Sequence, residues 1–503
     1  MAFFELNIAM SGLFAAQRGL QVTSNNISNA NTQGYSRQIL SQTASKPLSG
    51  YGVGLTGTGV TTTGVNRVRD SLIDQKIWTQ SASLGEANIK VTQNSIMESA
   101  FGEPSESGFT KVFNDMFSAM SQLSLDPTAS ESKITLKEEM ISFTKYFNNI
   151  AAKLEKQQRD LNFEIKVTVD EINAIATRIQ SLNQQIADAE LYGSEASSFR
   201  DERDKCIDRL SQIVDVEVSE EPYQVLGRTQ NRFMVKIAGQ VLVDHINVNT
   251  LEIEERTDAD KLNEEDVDGL YNLAWSNGLS FDMTKASISG ELKGLIDMRD
   301  GCGSNGVNTY NGVPYYMQQL NTYVRDFAKM MNEQYLKGDP VEDEHALFTY
   351  MIDDKPVTGK GTVDYSKLTA ANFSISKEVD DEPLKMTTLS DNNNPSDSSF
   401  MVELFRKKDS KDMNFFENAT AKEYMISLFS QLGVNAKESE MYQSTNTSIT
   451  QNLENQRLSN SQVDTTEEFT YLIRYQQAYQ AAAKVMNTID GIYETTIFKL
   501  GNF

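Results

Sequence analysis

Residues 147–186, FNNIAAKLEKQQRDLNFEIKVTVDEINAIATRIQSLNQQI, place Phe147, Ile150, Leu154, Leu161, Ile165, Ile172, Ile175, Ile179, Leu182 and Ile186 on one heptad-like helical stripe. At 1.5 Å per residue such a stripe runs roughly 60 Å. A rod of that length with one apolar seam needs a helical partner, so this stretch decides the fold in favour of long paired helices. The nine prolines all fall between Pro47 and Pro395, which leaves residues 1–46, 128–221 and 396–503 free for long helices.

Toward the amino end, Leu6, Met10, Leu13, Leu20 and Ile27 keep three- and four-residue steps, with Gln17 and Ser24 at the intervening positions. They predict an amphipathic helix ending near Ser24–Ile27. The Asn-, Ser- and Gly-rich run from Ser28 to Tyr35 then turns the chain. From Gly50 to Val65, glycines alternate with apolar and threonine residues as in a loose hairpin or extended arm. Helices are expected near 71–100 and 110–125, the second ending before Asp126-Pro127.

Toward the carboxyl end, period-two alternation from Val214 to Val243 predicts strands. Residues 251–268 hold nine acids against two bases and read as a solvated loop or strand edge. Helices follow at 287–299 and 315–335. Residues 339–411 suggest a small β insert, on runs such as Phe373-Ser-Ile and Phe400-Met-Val-Glu-Leu-Phe. Helix returns at Ala421, and Val463-Asp-Thr-Thr-Glu-Glu is a capping signature for a last helix starting near Thr465. On it Phe469, Leu472, Tyr479, Ala483, Met486, Tyr493, Ile497 and Leu500 keep helical spacing.

The fold class expected is mainly α with β inserts, a multidomain α+β chain. Residues 1–75 with 445–503 would form a terminal coiled-coil region. Residues 76–338 with 416–444 would form a helical bundle with a β part at about 214–285, and 339–415 a small β-rich outward insert.

Composition narrows function. A formal net charge of −24 repels a phosphate backbone or an anionic lipid surface, so nucleic acid is a poor partner. No apolar run approaches the ~20 residues of a membrane span, so membrane insertion is not expected. Met1-Ala-Phe-Phe-Glu-Leu-Asn has no basic segment, and no cleavable secretory signal is expected. Two cysteines, Cys206 and Cys302, allow at most one disulfide, and two histidines, His245 and His345, leave little for metal binding or general-base catalysis. No catalytic residue, cofactor or metal is assigned. Gly301-Cys-Gly-Ser-Asn-Gly306 and Gly52-Val-Gly-Leu-Thr-Gly57 fit a dinucleotide pattern, but neither sits between a strand and a helix. The acidic run Asp258–Asp268 lacks the glycine and ligand spacing of a calcium loop.

The first 37 residues carry only Glu5, Arg18 and Arg37 as charged side chains. A helix with so mild a polar face suits crowded packing against several partners, although periodicity alone equally allows an ordinary bundle inside one monomer. Leu13-Phe-Ala-Ala-Gln-Arg-Gly-Leu20, followed by Ser24-Asn-Asn-Ile-Ser-Asn-Ala-Asn-Thr-Gln-Gly-Tyr-Ser-Arg37, resembles the amino-terminal signature of flagellar rod, hook and hook-associated protein 1 subunits. Its signature positions are Ser24, Asn25, Asn26, Asn29, Asn31, Thr32, Gly34, Tyr35 and Arg37. Gly59-Val60 with Val65–Asp70 resembles the segment that follows. Leu472–Asp490 is similar to the carboxyl-terminal helix of the same axial proteins.

Within that superfamily, Phe199-Arg-Asp-Glu-Arg-Asp-Lys, Leu210–Val218 and Ser289-Gly-Glu-Leu-Lys-Gly-Leu-Ile-Asp-Met-Arg-Asp300 resemble the hook-associated protein 1 family. The likeness covers about residues 1–336 and 420–503, and 340–415 match nothing. Asn460-Ser-Gln-Val-Asp464 departs from the family's usual turn. A hook or rod subunit, the alternative, would lack the 131–213 helical block, and an enzymatic insert at 340–415 would need more than His345.

The resemblance implies a non-enzymatic subunit at the hook–filament junction, secreted unfolded through the flagellar type III apparatus and built into an open helical assembly. Its implied partners are further copies of itself, the hook protein, a second junction protein (hook-associated protein 3) and an export chaperone at the carboxyl-terminal helix. The terminal helices would order on assembly. Leu6, Leu13, Leu20 and Ile27 would then form one side of the seam, and Phe469, Leu472, Tyr479, Ala483, Met486 and Tyr493 the other.

Overall fold

The heptad stripe lies inside one unbroken helix of 62 residues, Ser130–Leu191. The computed structural model describes residues 2–50, 54–102, 108–191, 196–225, 228–281, 288–340, 344–394, 397–411 and 419–496. From the amino end run α1 (Ala2–Ser28), β1 (Gln38–Ala44), β2 (Leu48–Gly50), β3 (Gly54–Thr56), β4 (Val60–Arg67), α2 (Ser71–Phe101), α3 (Phe109–Leu125), α4 (Ser130–Leu191) and α5 (Ser197–Ile213). The middle holds β5 (Val216–Val225), β6 (Arg228–Ile237), β7 (Gln240–Asp244), β8 (Asn247–Val248), β9 (Leu251–Glu255), β10 (Tyr271–Trp275), α6 (Glu291–Asp300) and α7 (Val313–Tyr335). Then come β11 (Phe348–Ile352), β12 (Lys355–Pro356), β13 (Phe373–Ile375), α8 (Lys377–Asp381), α9 (Ser399–Arg406), α10 (Ala421–Ser461) and α11 (Thr465–Glu494). The mainly α fold with small antiparallel sheets agrees with the sequence.

On α4 every expected stripe residue is buried except Ile175, which is half-buried. Ala176 takes the buried step between Ile172 and Ile179, restoring the four-three spacing. Pro127 stops α3 because the preceding Asp126 is held extended at φ −142°, ψ 93°. Asp464 starts α11 by accepting hydrogen bonds from the Thr466 and Glu467 amides at 2.8 and 3.2 Å.

Packing divides the chain into two compact units. The first comprises Met1–Ala82, Ile172–Thr250 and Asn446–Phe503. In it β1 and β4 pair antiparallel, and Leu40 and Val65 close over Val22 of α1 as a small apolar core. Strands β5 to β8 form a four-stranded antiparallel sheet in sequence order. Val216 faces Ile237 and Glu220 faces Phe233, so the period-two pattern puts Val216, Phe233, Val235 and Ile237 inside.

The second unit, Ser83–Glu171 and Leu251–Thr445, is built on aromatic packing. Phe147 stacks on Tyr323 at 5.2 Å, Phe143 lies 4.9 Å from Phe327, and Phe348 and Phe373 join from β11 and β13. The Phe373-Ser-Ile run is a strand as expected. The Phe400-Met-Val-Glu-Leu-Phe run is not. It forms helix α9, because Phe400, Met401 and Leu404 then share one buried face. The Ser289–Asp300 segment ends in a buried ionic knot, in which the Asp300 carboxylate accepts from Arg256 at 3.0 and 2.8 Å and from Arg299 at 2.9 and 2.6 Å.

On α7 burial pushes the Asp326 carboxyl up to about 6, against the pull of Lys329 and Arg325. The folded chain therefore binds this proton more tightly than the unfolded chain. Its contribution is fully present below the ordinary carboxyl range and is lost as pH rises through about 6. Asp326→Asn should raise stability at pH 7.5 by about 1 kcal/mol, a figure reduced from the full linkage value because the carboxyl is half-exposed. Denaturant midpoints of variant and parent should converge as pH falls toward 4.

Candidate assembly surface at the chain ends

Helices α1 and α11 lie antiparallel in the first unit. Burial, and after it the charge of Glu5, raises the Tyr493 hydroxyl, Tyr475 packs on Gly19, and Tyr471 and Glu468 line a cleft with Val22 and Thr23. The buried face of α1 is made of small residues: Ala9, Ala15, Ala16, Gly19, Val22, Thr23 and Asn26. A Cβ at Gly19 would lie 2.6 Å from the Tyr475 ring, so its absence sets how closely the helices approach. Leu6, Leu13, Leu20 and Ile27 flank this face and are half-buried.

On α11 the fully buried side chains are Glu468 and Ile489, with Leu472, Ala483, Met486 and Tyr493 half-buried along the same stripe. Phe469 and Tyr479 are exposed at 53% and 38%, as are Ile473, Val485 and Ile492, and Phe14 of α1 is 58% exposed. Ile497 and Leu500 lie outside the described residues. So large apolar side chains stay in solvent on both helices, flanking the contact between them.

The signature after α1 is a hydrogen-bonded loop. The Asn29 amide donates to the Asn25 carbonyl and side chain at 3.0 and 2.9 Å, and Thr32 Oγ1 donates to Asn29 Oδ1 at 3.2 Å. Ser24 and Asn31 are exposed. Gly34 adopts φ +76°, a left-handed conformation that favours glycine, with the Lys205 side chain against it. Asn26 is 1% exposed and imitates a strand partner: its Nδ2 donates to the Gln38 carbonyl at 2.9 Å, and its Oδ1 accepts from the Gln38 amide at 3.0 Å and Tyr35 Oη at 2.8 Å. Burial, and after it the charges of Asp201 and Glu468, push the Tyr35 hydroxyl well above its ordinary range, so it remains a donor.

Ion pairs tie this loop to the rest of the unit. Arg67 bridges Asp201 and Asp204 of α5 at 2.7 and 2.8 Å, and Arg69 reaches Asp74 and Asp204 at 2.6 and 3.0 Å. Asp208 accepts from Trp78 at 2.8 Å and Arg457 of α10 at 2.9 Å. Arg37 pairs with Glu468 at 2.8 Å and Glu467 at 3.0 Å. Within the Phe199–Lys205 motif, Asp201 also accepts from the Ser36 amide at 3.3 Å and Lys205 lies against Gly34, so the motif touches the signature loop directly. Periodicity did not single out Gly19, Glu468 or Ile489; the recurrence of small residues at 9, 12, 15, 16 and 19 was the available signal for the first.

Among the described residues no group of three or more His, Cys, Asp or Glu side chains is set to hold a metal ion, and no helix is long and apolar enough to cross a membrane. Gly301 and Gly312 pack backbone on backbone, with the Gly312 amide donating to the Gly301 carbonyl at 3.1 Å. Gly52–Gly57 reaches into residues outside the described set.

The Flagella basal body rod protein family matches residues 6–35, and the Flagellar basal body rod FlgEFG protein C-terminal family matches residues 454–497. The Flagellar hook-associated protein FlgK helical domain matches residues 94–345, half of the chain. The chain belongs to the flagellar hook-associated protein FlgK family. Flagellar hook-associated protein 1 of Bacillus subtilis (strain 168) is 26% identical over 99% of this chain and 98% of its own length. That of Escherichia coli (strain K12) is 33% identical over 42% of this chain and 39% of its own. The solved structure of the flagellar hook junction protein FlgK from Burkholderia pseudomallei shares the fold, with a TM-score of 0.60 at 11% identity, covering 77% of this chain and all of that one.

Proposed function

We propose that this FlgK-family chain is a structural subunit of the hook–filament junction, adapting hook to filament by helical self-assembly of its paired terminal helices. The observation that carries the reading is the α1–α11 pair, joined along one stripe of small residues while Phe14, Phe469, Ile473 and Ile492 stand exposed beside it. Further copies of the chain, the hook protein and hook-associated protein 3 are the partners that would cover these flanks. The free α11 would meet an export chaperone before assembly, and the site of action is the extracellular flagellum. The work is done by shape and helix pairing, with no reaction assigned. A hook or rod subunit accounts less well for the helical-domain match over residues 94–345.

Expression in a strain lacking its own hook-associated protein 1 tests the reading. The chain should restore filaments and swimming, and should be found between hook and filament. Secretion into the medium without filaments on the hooks would overturn it.

A further inference from the structure

Arg37 touches three elements that carry the two chain ends. Its amide donates to the carbonyl of Ser461, the last residue of α10, at 3.0 Å, and its carbonyl accepts from the Val68 amide at 2.8 Å, just past β4. Its side chain turns onto α11, with Nε donating to Glu468 Oε1 at 2.8 Å, Nη1 3.0 Å from Glu467 Oε2, and the guanidinium 5.9 Å from the Tyr471 ring. Glu468 is 2% exposed and is the buried charged side chain among the described residues of α11. A carboxylate out of water holds its place only while its partner stays, so this pair differs from a surface ion pair.

Each segment has an anchor of its own, the loop on Asn26 and on Asp201 of α5, and α11 on α1. Residues 28 and 31–34 of the loop are exposed, and the buried side chains of α11 are Glu468 and Ile489. The Arg37–Glu468 pair is the buried charged link between the two segments. We infer that Arg37, Glu467 and Glu468 form a latch that makes the signature loop and α11 order as one cooperative unit, so that the assembly surface is presented only when both ends of one chain are folded together. The inference rests on the assembly reading of the chain ends. Because coupling free energy is reciprocal, loosening either partner must loosen the other by the same factor.

Hydrogen exchange on the full-length chain tests it. Arg37→Gln should speed exchange across 465–494, and Glu468→Gln should speed exchange across 28–37, each by about five- to a hundredfold. The double variant should go no further than the larger single change. Residues 140–165 serve as the internal control for a folded chain. Changes confined to the altered residue's own segment, or additive in the double variant, would overturn the latch. In cells, either variant should be secreted but sustain few filaments. If coupling is seen and filaments are undiminished, the gating role is overturned. If the parent chain itself never restores filaments, the assembly reading fails while exchange still decides the latch.

Discussion

Asp300→Ala is expected to destabilise the second unit by about 3–5 kcal/mol, the cost of leaving buried charge without its partner. Asp300 is 4% exposed, and its two oxygens receive paired bonds from both Arg256 and Arg299, the latter itself 1% exposed. Burial pushes its carboxyl up, but Arg299 and Arg256 outweigh it and hold the group below the ordinary carboxylate range. Removing the carboxylate leaves two buried guanidiniums with Asn162 accepting from Arg299 at 2.8 Å and Asp266 3.8 Å from Arg256, while Gln158 and Asn263 are already engaged with the Arg299 and Asp300 carbonyls. The denaturant midpoint should fall with little change in slope.

The sign of its pH dependence is opposite to that of Asp326. The stabilisation is present above the ordinary carboxyl range and is lost as pH falls through the depressed folded value, so parent and Asp300→Ala should converge in acid. Replacing Arg256, Arg299 and Asp300 together by apolar residues of similar volume should cost much less, because the charges paired through Asp300 leave together while Asp266 keeps its bonds from Gln158 and Asn263. An equal loss in the triple and single variants would show that packing, and not charge pairing, sets the cost.

The long elements were legible because their physics is repetitive. Residues 147–186 repeat one apolar seam, Pro127 disfavours helix at Asp126, and Asp464 caps α11. The run at Phe400 was not legible, since FMVELF satisfies period two and period 3.6 over so short a span and tertiary packing chose the helix. At the chain ends, periodicity pointed to leucines, while the tightest contact on α1 is made by alanines and Gly19, residues with little hydrophobic signal of their own. Glu468 reads in sequence as an ordinary first-turn acid, favourable to the helix dipole. Only the fold, by bringing Arg37 across 431 positions of sequence, makes it a buried anchor. Asn26 likewise reads as a polar signature residue at the end of the first helix, yet its side chain pairs with a strand.

Gly19→Ala should separate α11 from α1, even though alanine is the better helix former by about 1 kcal/mol. Its new Cβ would lie 2.6 Å from two atoms of the Tyr475 ring, a rigid group that cannot yield as a flexible side-chain end would. Overpacking of this kind costs about 1–3 kcal/mol, enough to outweigh the propensity gain on a contact only one stripe wide. Exchange across 465–494 should rise sharply while residues 140–165 stay protected, and filaments should be lost. Gly12→Ala is the matched control, since nothing lies within 4 Å of its added carbon and propensity acts there alone. Gly12→Ala should slow exchange in α1 if it changes it at all. If it nevertheless abolishes filaments with the α1–α11 pair intact, the Gly12 face is where a neighbouring copy packs in the assembly. Unchanged exchange in Gly19→Ala would mean instead that close approach at Tyr475 does not hold the pair.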